Sequence, residues 1–208
     1  MDVLQCLGTS DPLFDWVQEI RRDGSNQTLF DFDDFSRHYV LVWEGQPLGA
    51  LTVQEASEAR LDCEDHYPSA VFERHRDQLF GTCKLRIRRG PATPMLALRT
   101  LVRGLWQDQL QRGKRICIVN AEHRMRAFYR RIGFSHLPGF DFVHPQLSTQ
   151  SIVLLMGVDT SQRSYCQDLF ETIHNPVDQQ ALVEACCGSL AGIGLTSKTG
   201  PRKLAVAA

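Results

Sequence analysis

Apolar and polar positions along the chain follow two rhythms, and each change of rhythm marks an element. Arg115 to Val119 is a short apolar run between polar residues, the pattern of a buried strand. The residues after it place Met125, Phe128, Tyr129 and Ile132 at i, i+3, i+4 and i+7, one face of a helix. Asn120 suits the N-cap, Glu122 the first turn, Arg130 and Arg131 the last turn, and Gly133 the stop. Upstream, Cys83 to Ile87 alternates like a strand and runs into Arg88-Arg89-Gly90-Pro91-Ala92-Thr93-Pro94. Thr93 followed by Pro94 predicts a sharp helix start. That helix carries Leu98, Leu101, Val102 and Leu105 on one face and ends near Arg112-Gly113. Two consecutive strand-turn-helix units are thus written into residues 83–134.

Around them the pattern is plainer. Ser10 or Asp11, with Pro12, opens a helix whose apolar face is Leu13, Trp16, Val17 and Ile20, closing near Gly24. The acidic, aromatic stretch Asp31 to His38 turns the chain toward a sheet, its carboxylates expected as a solvated cap. Tyr39–Trp43 and Leu48–Val53, joined by Glu44-Gly45-Gln46-Pro47, predict a hairpin. Ser69 to Leu79 predicts a helix with Val71, Phe72, His75 and Leu79 on one side. Pro138 to His144 and Ser151 to Met156 predict two last strands. Asp168–Ile173 and Val177–Cys187 predict two short helices that pack on the sheet or serve as a lid or dimer contact. Gly188 to Ala208 reads as a loose tail.

Composition narrows the classes. The 208 residues suit one domain with extensions, and 43% hydrophobic with 23% charged residues is ordinary for a globular chain. A formal net charge of -1 gives no electrostatic case for nucleic acid or an anionic membrane. No apolar run is long enough to span a bilayer, and no leader pattern is visible, so a cytoplasmic location is expected. Seven cysteines, scattered except for Cys186-Cys187 and without a Cys-x-x-Cys pair, fit reduced thiols; seven histidines show no metal-binding spacing, and no metal is expected.

The corner Arg86-Ile87-Arg88-Arg89-Gly90-Pro91-Ala92-Thr93 has the make-up of an anion trap: backbone amides and a helix N-terminus, with arginines adding charge. Together with Asn120, the aromatic pair Phe128-Tyr129 and the closing Gly133-Phe134, it resembles the GCN5-related N-acyltransferase (GNAT) superfamily. The turn Glu44 to Gly49 also resembles that superfamily's hairpin. The resemblance covers roughly residues 30–157 and implies an α/β (α+β) fold: a central mixed, mostly antiparallel twisted sheet, splayed between two βα units and flanked by helices. It implies that Arg86, Ile87, Arg88, Arg89, Gly90, Ala92 and Thr93 hold a phosphate of the donor. It also implies that Asn120 and Tyr129 lie beside the acyl thioester, Tyr129 protonating the leaving thiolate. The pattern departs at Ile87, where the superfamily has Gln or Arg, and Pro91 removes one donor, which suits a single-phosphate arm better than coenzyme A.

Within the superfamily, Glu64-Asp65-His66-Tyr67-Pro68 resembles the insertion of the acyl-carrier-dependent branch, the N-acyl-homoserine-lactone and long-chain N-acyl amino acid synthases. A surface excursion covering the sheet explains the same residues. That branch's Glu-x-Ser-Arg run is replaced here by Gly81-Thr82-Cys83-Lys84, so no base carries over. Candidate bases for the acceptor amine are Glu64, His66, Asp65 and Glu55. The domains expected are an acyltransferase domain over 1–160, a helical extension over 161–190 and a tail over 191–208. The function implied is transfer of an acyl group from a phosphopantetheine thioester, on acyl carrier protein or as acyl coenzyme A, to a small-molecule amine or amino acid. An acetyl-coenzyme-A-dependent N-acetyltransferase and a catalytically silent binding module are the alternatives.

Overall fold

The structure, a computed structural model, describes residues 1–24, 27–90, 93–159, 175–176 and 181–184. Its centre is a sheet in the order β1 (Asp2–Leu7), β2 (Arg37–Trp43), β3 (Gln46–Glu55), β4 (Leu79–Ile87), β5 (Ile116–Glu122), β8 (Gln150–Asp159), β6 (Ser135–His136). Two short strands, β7 (Phe142–Val143) and β9 (Asn175–Pro176), also pair with β8. Neighbours are antiparallel except β4 and β5, which run parallel. The hairpin between β2 and β3 turns on Glu44 and Gly45, both at positive φ (48° and 75°), the two-residue turn whose twist matches the strands.

The period-two alternation shows why the sheet is buried on both faces. Tyr39 and Leu41 of β2, Cys117 and Val119 of β5, and Ile152, Leu154 and Met156 of β8 point into one core. Helix α3 (Pro94–Gln111) covers that core with Leu101, Leu105 and Trp106, and Phe128 and Tyr129 of helix α4 (Arg126–Arg131) pack against it. Their strand neighbours face the other way. Val40 and Val42 meet helix α1 (Phe14–Arg22) through Val17 and Ile20. Ile116, Ile118, Val153 and Leu155 meet Val71 and Phe72 of helix α2 (Ser69–His75). Residues 181–184 add one helical turn whose Val183 joins this second cluster.

Several expectations need correction. Strand β1 is absent from the sequence reading because it is an edge strand with mostly exposed side chains, which leaves a weak apolar period. The helix expected over 69–79 stops at His75, and Leu79 already begins β4. The carboxylates of Asp31 to His38 are not all solvated. Asp33 is fully buried and takes a bidentate pair from Arg21 of α1, 2.7 and 2.9 Å, while the same guanidinium donates to Thr52 of β3 at 2.7 Å and so ties that helix to the sheet. Asn120 is no N-cap: β5 runs on to Glu122, and Asn120 pairs with Val153 inside the ladder. The helices expected over 168–173 and 177–187 lie outside the described residues, apart from 181–184, as does the tail.

Candidate active site

Parallel pairing between β4 and β5 covers only Leu79, Phe80 and Gly81 against Ile116, Cys117 and Ile118. Beyond that point β4 continues to Ile87 paired with β3 alone, and β5 continues to Glu122 paired with β8 alone. A bulge bends β4 outward: Ala50 faces Arg86 and Thr52 faces Cys83, so two residues, Lys84 and Leu85, oppose Leu51. Lys84 sits at φ 54°, the left-handed region. Between the parted strands lies a cavity of about 460 Å³, roughly fifteen times the ~30 Å³ share of a water molecule. One wall is apolar, with Leu98, Val102, Leu105 and Trp106 of α3 facing Val119, Phe128, Ile132 and Phe134. The other is polar, with Asp62, Thr82, Lys84, Asn120, His144 and Ser151.

Tyr129 lines this cavity and is held by the end of its own helix. Gly133, at φ 100°, takes the left-handed position, its N–H donates to Arg130 O (3.2 Å), and the Phe134 N–H donates to Tyr129 O (3.0 Å). This is the Schellman arrangement, and it swings Phe134 edge-on to the Tyr129 ring at 5.3 Å. Phe128 packs edge-on from the other side. Burial pushes the Tyr129 hydroxyl up to about 12, with Cys117 adding to the shift. The phenol therefore stays protonated throughout neutral pH.

Asn120 also reaches the cavity, from the strand. Its Nδ2 donates to Tyr67 Oη at 2.9 Å. Burial raises Tyr67 far above the ordinary phenol range, against the lowering effect of that bond, so Tyr67 is neutral. The two expected site residues Tyr129 and Asn120 thus share one cleft.

The corner expected to hold a phosphate of the donor is described in part. Thr93 caps α3, its hydroxyl accepting from the Leu96 N–H at 3.3 Å, and Pro94 holds the first position as predicted. Arg88 is turned away from it: the guanidinium pairs with Glu19 (2.7 Å) and with Asp23, and donates to Glu19 O (3.0 Å). Arg86 donates to the Asp23 carbonyl. Ile87 is half-buried, packed against the core that α3 covers, while Arg89 and Gly90 are exposed. Ala92 and Pro91 lie outside the described residues.

The candidate bases are not brought to the cleft. Glu64 accepts from the Leu61 N–H (2.8 Å) and pairs with Arg76 (2.9 Å), closing its own turn. His66 stacks on Phe142 at 4.2 Å. Both line a second depression of about 650 Å³ on the outer side. Asp65 pairs with Arg60 on the surface. Glu55 is buried at the centre of Arg37, Arg112 and Lys114. Its burial alone would raise its pKa, but the Arg112 hydrogen bonds and the neighbouring cations win and hold it at about 2.

Sequence reading missed the groups that do line the polar wall. Asp62, Cys63 and His144 bring ligand-type atoms within 4.8 Å of one another. His144 Nδ1 accepts from the amides of Gln146 (3.2 Å) and Leu147 (3.4 Å), so its proton sits on Nε2, 3.7 Å from Cys63 Sγ. A ring nitrogen carrying its proton donates and does not ligate a metal. Burial lowers the His144 pKa, so the ring is neutral. Cys63 in turn donates to Asp62 Oδ1 at 3.5 Å, and burial, then Asp62, push its thiol up to about 12. The triple is a directed hydrogen-bond chain that ends on the Asp62 carboxylate. No spacing in the sequence announces it, because its members lie 81 residues apart.

The parted sheet, the bulge and the cleft define the fold of the GCN5-related N-acyltransferases. No family model matches the sequence, and no curated protein matches it. Solved structures do. FeeM, an N-acyl amino acid synthase from uncultured soil microbes, is 12% identical with a TM-score of 0.61, covering 74% of this chain and 94% of that one. MesI, a CoA-dependent acyl-homoserine lactone synthase, is 12% identical with a TM-score of 0.52, covering 75% and 88%. An aminoglycoside 6'-acetyltransferase type Ii is 10% identical with a TM-score of 0.51, covering 76% and 97%. At these identities the likeness is one of fold. No helix among the described residues is long and apolar enough to cross a membrane.

Proposed function

We propose that the protein is an N-acyltransferase that moves an acyl group from a phosphopantetheine thioester to the amine of a small molecule or amino acid. The observation that carries this is the cleft between β4 and β5. Past Gly81 and Ile118 each strand turns an unpaired backbone edge toward the gap, and unpaired edges accept an extended, amide-bearing chain. A pantetheine arm is such a chain, with two amides. Its thioester would then reach the bulge at Lys84 and Leu85, where backbone N–H groups freed from the ladder are placed to stabilise a developing oxyanion. Tyr129 faces the same space and donates a hydrogen bond to the departing sulfur. Asn120 orients Tyr67 and with it the polar wall. FeeM, an N-acyl amino acid synthase, MesI, an acyl-homoserine lactone synthase, and the aminoglycoside acetyltransferase share this architecture.

Two features favour an acyl group longer than acetyl, delivered by acyl carrier protein. The apolar wall runs from α3 to α4 and leaves far more room than two carbons need. Arg88 is occupied by Glu19 and Asp23, which removes one of the charges that the extra phosphates of coenzyme A call for. The 1–160 domain boundary belongs to the same proposal, since β8 closes the cleft at its far side.

Intact-mass analysis of the protein with acetyl, octanoyl and hexadecanoyl thioesters of acyl carrier protein and of coenzyme A, plus pooled amino acids, tests the proposal. Long-chain N-acyl products from the carrier-protein donor are expected. Products from acetyl coenzyme A alone would point to the acetyltransferase, and donor binding without any product to a silent module.

A further inference from the structure

The cleft offers two carboxylates to an incoming amine, Asp62 and Glu122. Glu122, at the end of β5, already pairs with Arg124 at 2.7 Å. Asp62 has no ion-pair partner among the described residues, lines the polar wall, and is half-buried. Two bonds fix it from behind. Its N–H donates to Gln54 Oε1 (2.7 Å), a buried side chain of β3, and its Oδ1 accepts the Cys63 thiol, itself faced by His144 Nε2–H. The second carboxylate oxygen has no protein donor among the described residues. Asp62 also lies close enough to Tyr67, the partner of Asn120, and to Cys83 on β4 for its charge to be felt by both. A carboxyl group held on one oxygen and open on the other, on the cleft's polar wall near Cys83, faces an amine that enters the cleft.

We propose that Asp62 is the general base of the reaction, a catalytic residue supplied by the segment between β3 and α2, with Cys63 and His144 as positioning residues that hold one of its oxygens. This rests on the acyl-transfer function above. An alkyl amine arrives as R–NH3+. Asp62 takes one proton, and the freed lone pair forms the C–N bond at the thioester carbonyl carbon. The C–S bond then breaks, and the second amine proton leaves nitrogen for the thiolate sulfur, by way of the Tyr129 hydroxyl. One amide, one thiol and one proton, held by Asp62 until it exchanges with solvent, balance the ammonium and the thioester. The hydrogen-bond chain explains why an aspartate so near water keeps one orientation: the His144 Nε2–H points to the Cys63 sulfur, and the Cys63 S–H to the carboxylate.

The test compares wild type with Asp62→Asn and Asp62→Glu, using hexadecanoyl and octanoyl thioesters, with two acceptors: pooled amino acids, which arrive as ammonium, and hydroxylamine, which is uncharged at neutral pH. If Asp62 is the base, Asp62→Asn slows transfer to the amino acids roughly 100-fold in kcat with KM within about twofold. Transfer to hydroxylamine stays within about threefold, which also shows the variant folded and binding its donor. Asp62→Glu recovers part of the amino acid rate. Equal loss with both acceptors would make Asp62 a structural residue, and an unchanged amino acid rate would remove it from the reaction; either overturns the inference while acyl transfer stands. Failure of wild type to acylate any acceptor would instead overturn the function, and this inference with it.

Discussion

At the scale of single residues, Tyr129 illustrates how packing sets chemistry. Gly133 lets the chain turn left-handed, Phe134 swings onto the phenol, and the buried hydroxyl holds its proton up to about 12. A proton on so weak an acid is not released outright to a thiolate whose own pKa is near 8.5, since a gap of about three and a half pKa units corresponds to about 5 kcal/mol. Tyr129 therefore acts by donating a hydrogen bond and passing a proton on as it receives one. Tyr129→Phe is expected to lower kcat roughly 100-fold with the donor KM unchanged and unfolding stability within about 1 kcal/mol. Because the hydroxyl stays protonated below about 12, the wild-type rate should show no alkaline fall from Tyr129 up to pH 10. Steady-state rates of both proteins across pH check this, and an alkaline fall below pH 10 that is lost in Tyr129→Phe would contradict it.

At the scale of elements, the bulge in β4 decides whether there is a cleft at all. One extra residue opposite Leu51 bends β4 away from β5, and Lys84 pays for it by adopting a positive φ. Lys84→Gly and Lys84→Val both remove the ammonium, but only glycine accepts φ 54° at no steric cost. Lys84→Val is expected to be less stable than Lys84→Gly by about 1–2 kcal/mol in urea unfolding, and to lose more acyl transfer. Equal stability of the two would show that the bulge does not need its left-handed residue. Helix α4 makes the complementary point. It is only six residues long, and what the sequence presents as an extended helical face after Asn120 is a strand end, a 3₁₀ turn and then the helix.

At the scale of the whole molecule, buried charge ties the layers together and sets the response to acid. Glu55 links β3 to α3 through Arg112 and to the start of β5 through Lys114; its pKa is about 2 in the folded chain against an ordinary 4.5. A lowered carboxyl pKa stabilises fully above 4.5, and that contribution, about 3 kcal/mol, is lost as pH falls toward 2. His38, buried under α1 and near Arg21, is held at about 4 against 6.5, burial being the larger cause. A lowered histidine pKa also stabilises fully above 6.5 and loses its contribution as pH falls toward 4. Urea midpoints are thus expected to decline in two steps, one below pH 6.5 and one below pH 4.5. A midpoint constant from pH 7 to 3 would contradict both.

The sequence by itself determined what is local. The 3.6 and 2 periodicities placed α3, the core strands and the hairpin, Thr93-Pro94 fixed where α3 begins, and Gly133 fixed where α4 ends, because caps and turns depend on residues within one turn of each other. The place of Tyr129 on α4 was legible for the same reason. Tertiary structure alone decided what depends on strands meeting. Pairing with β8 carried β5 through Asn120 and overrode its capping preference, and the edge strand β1 had too little buried face to signal itself. Arg88 was drawn to the acids of α1, and Asp62, Cys63 and His144 were joined across 81 residues. Hydrophobic burial is additive and repeats along a chain, so it can be read in one dimension; which lone pair meets which proton is a matter of three.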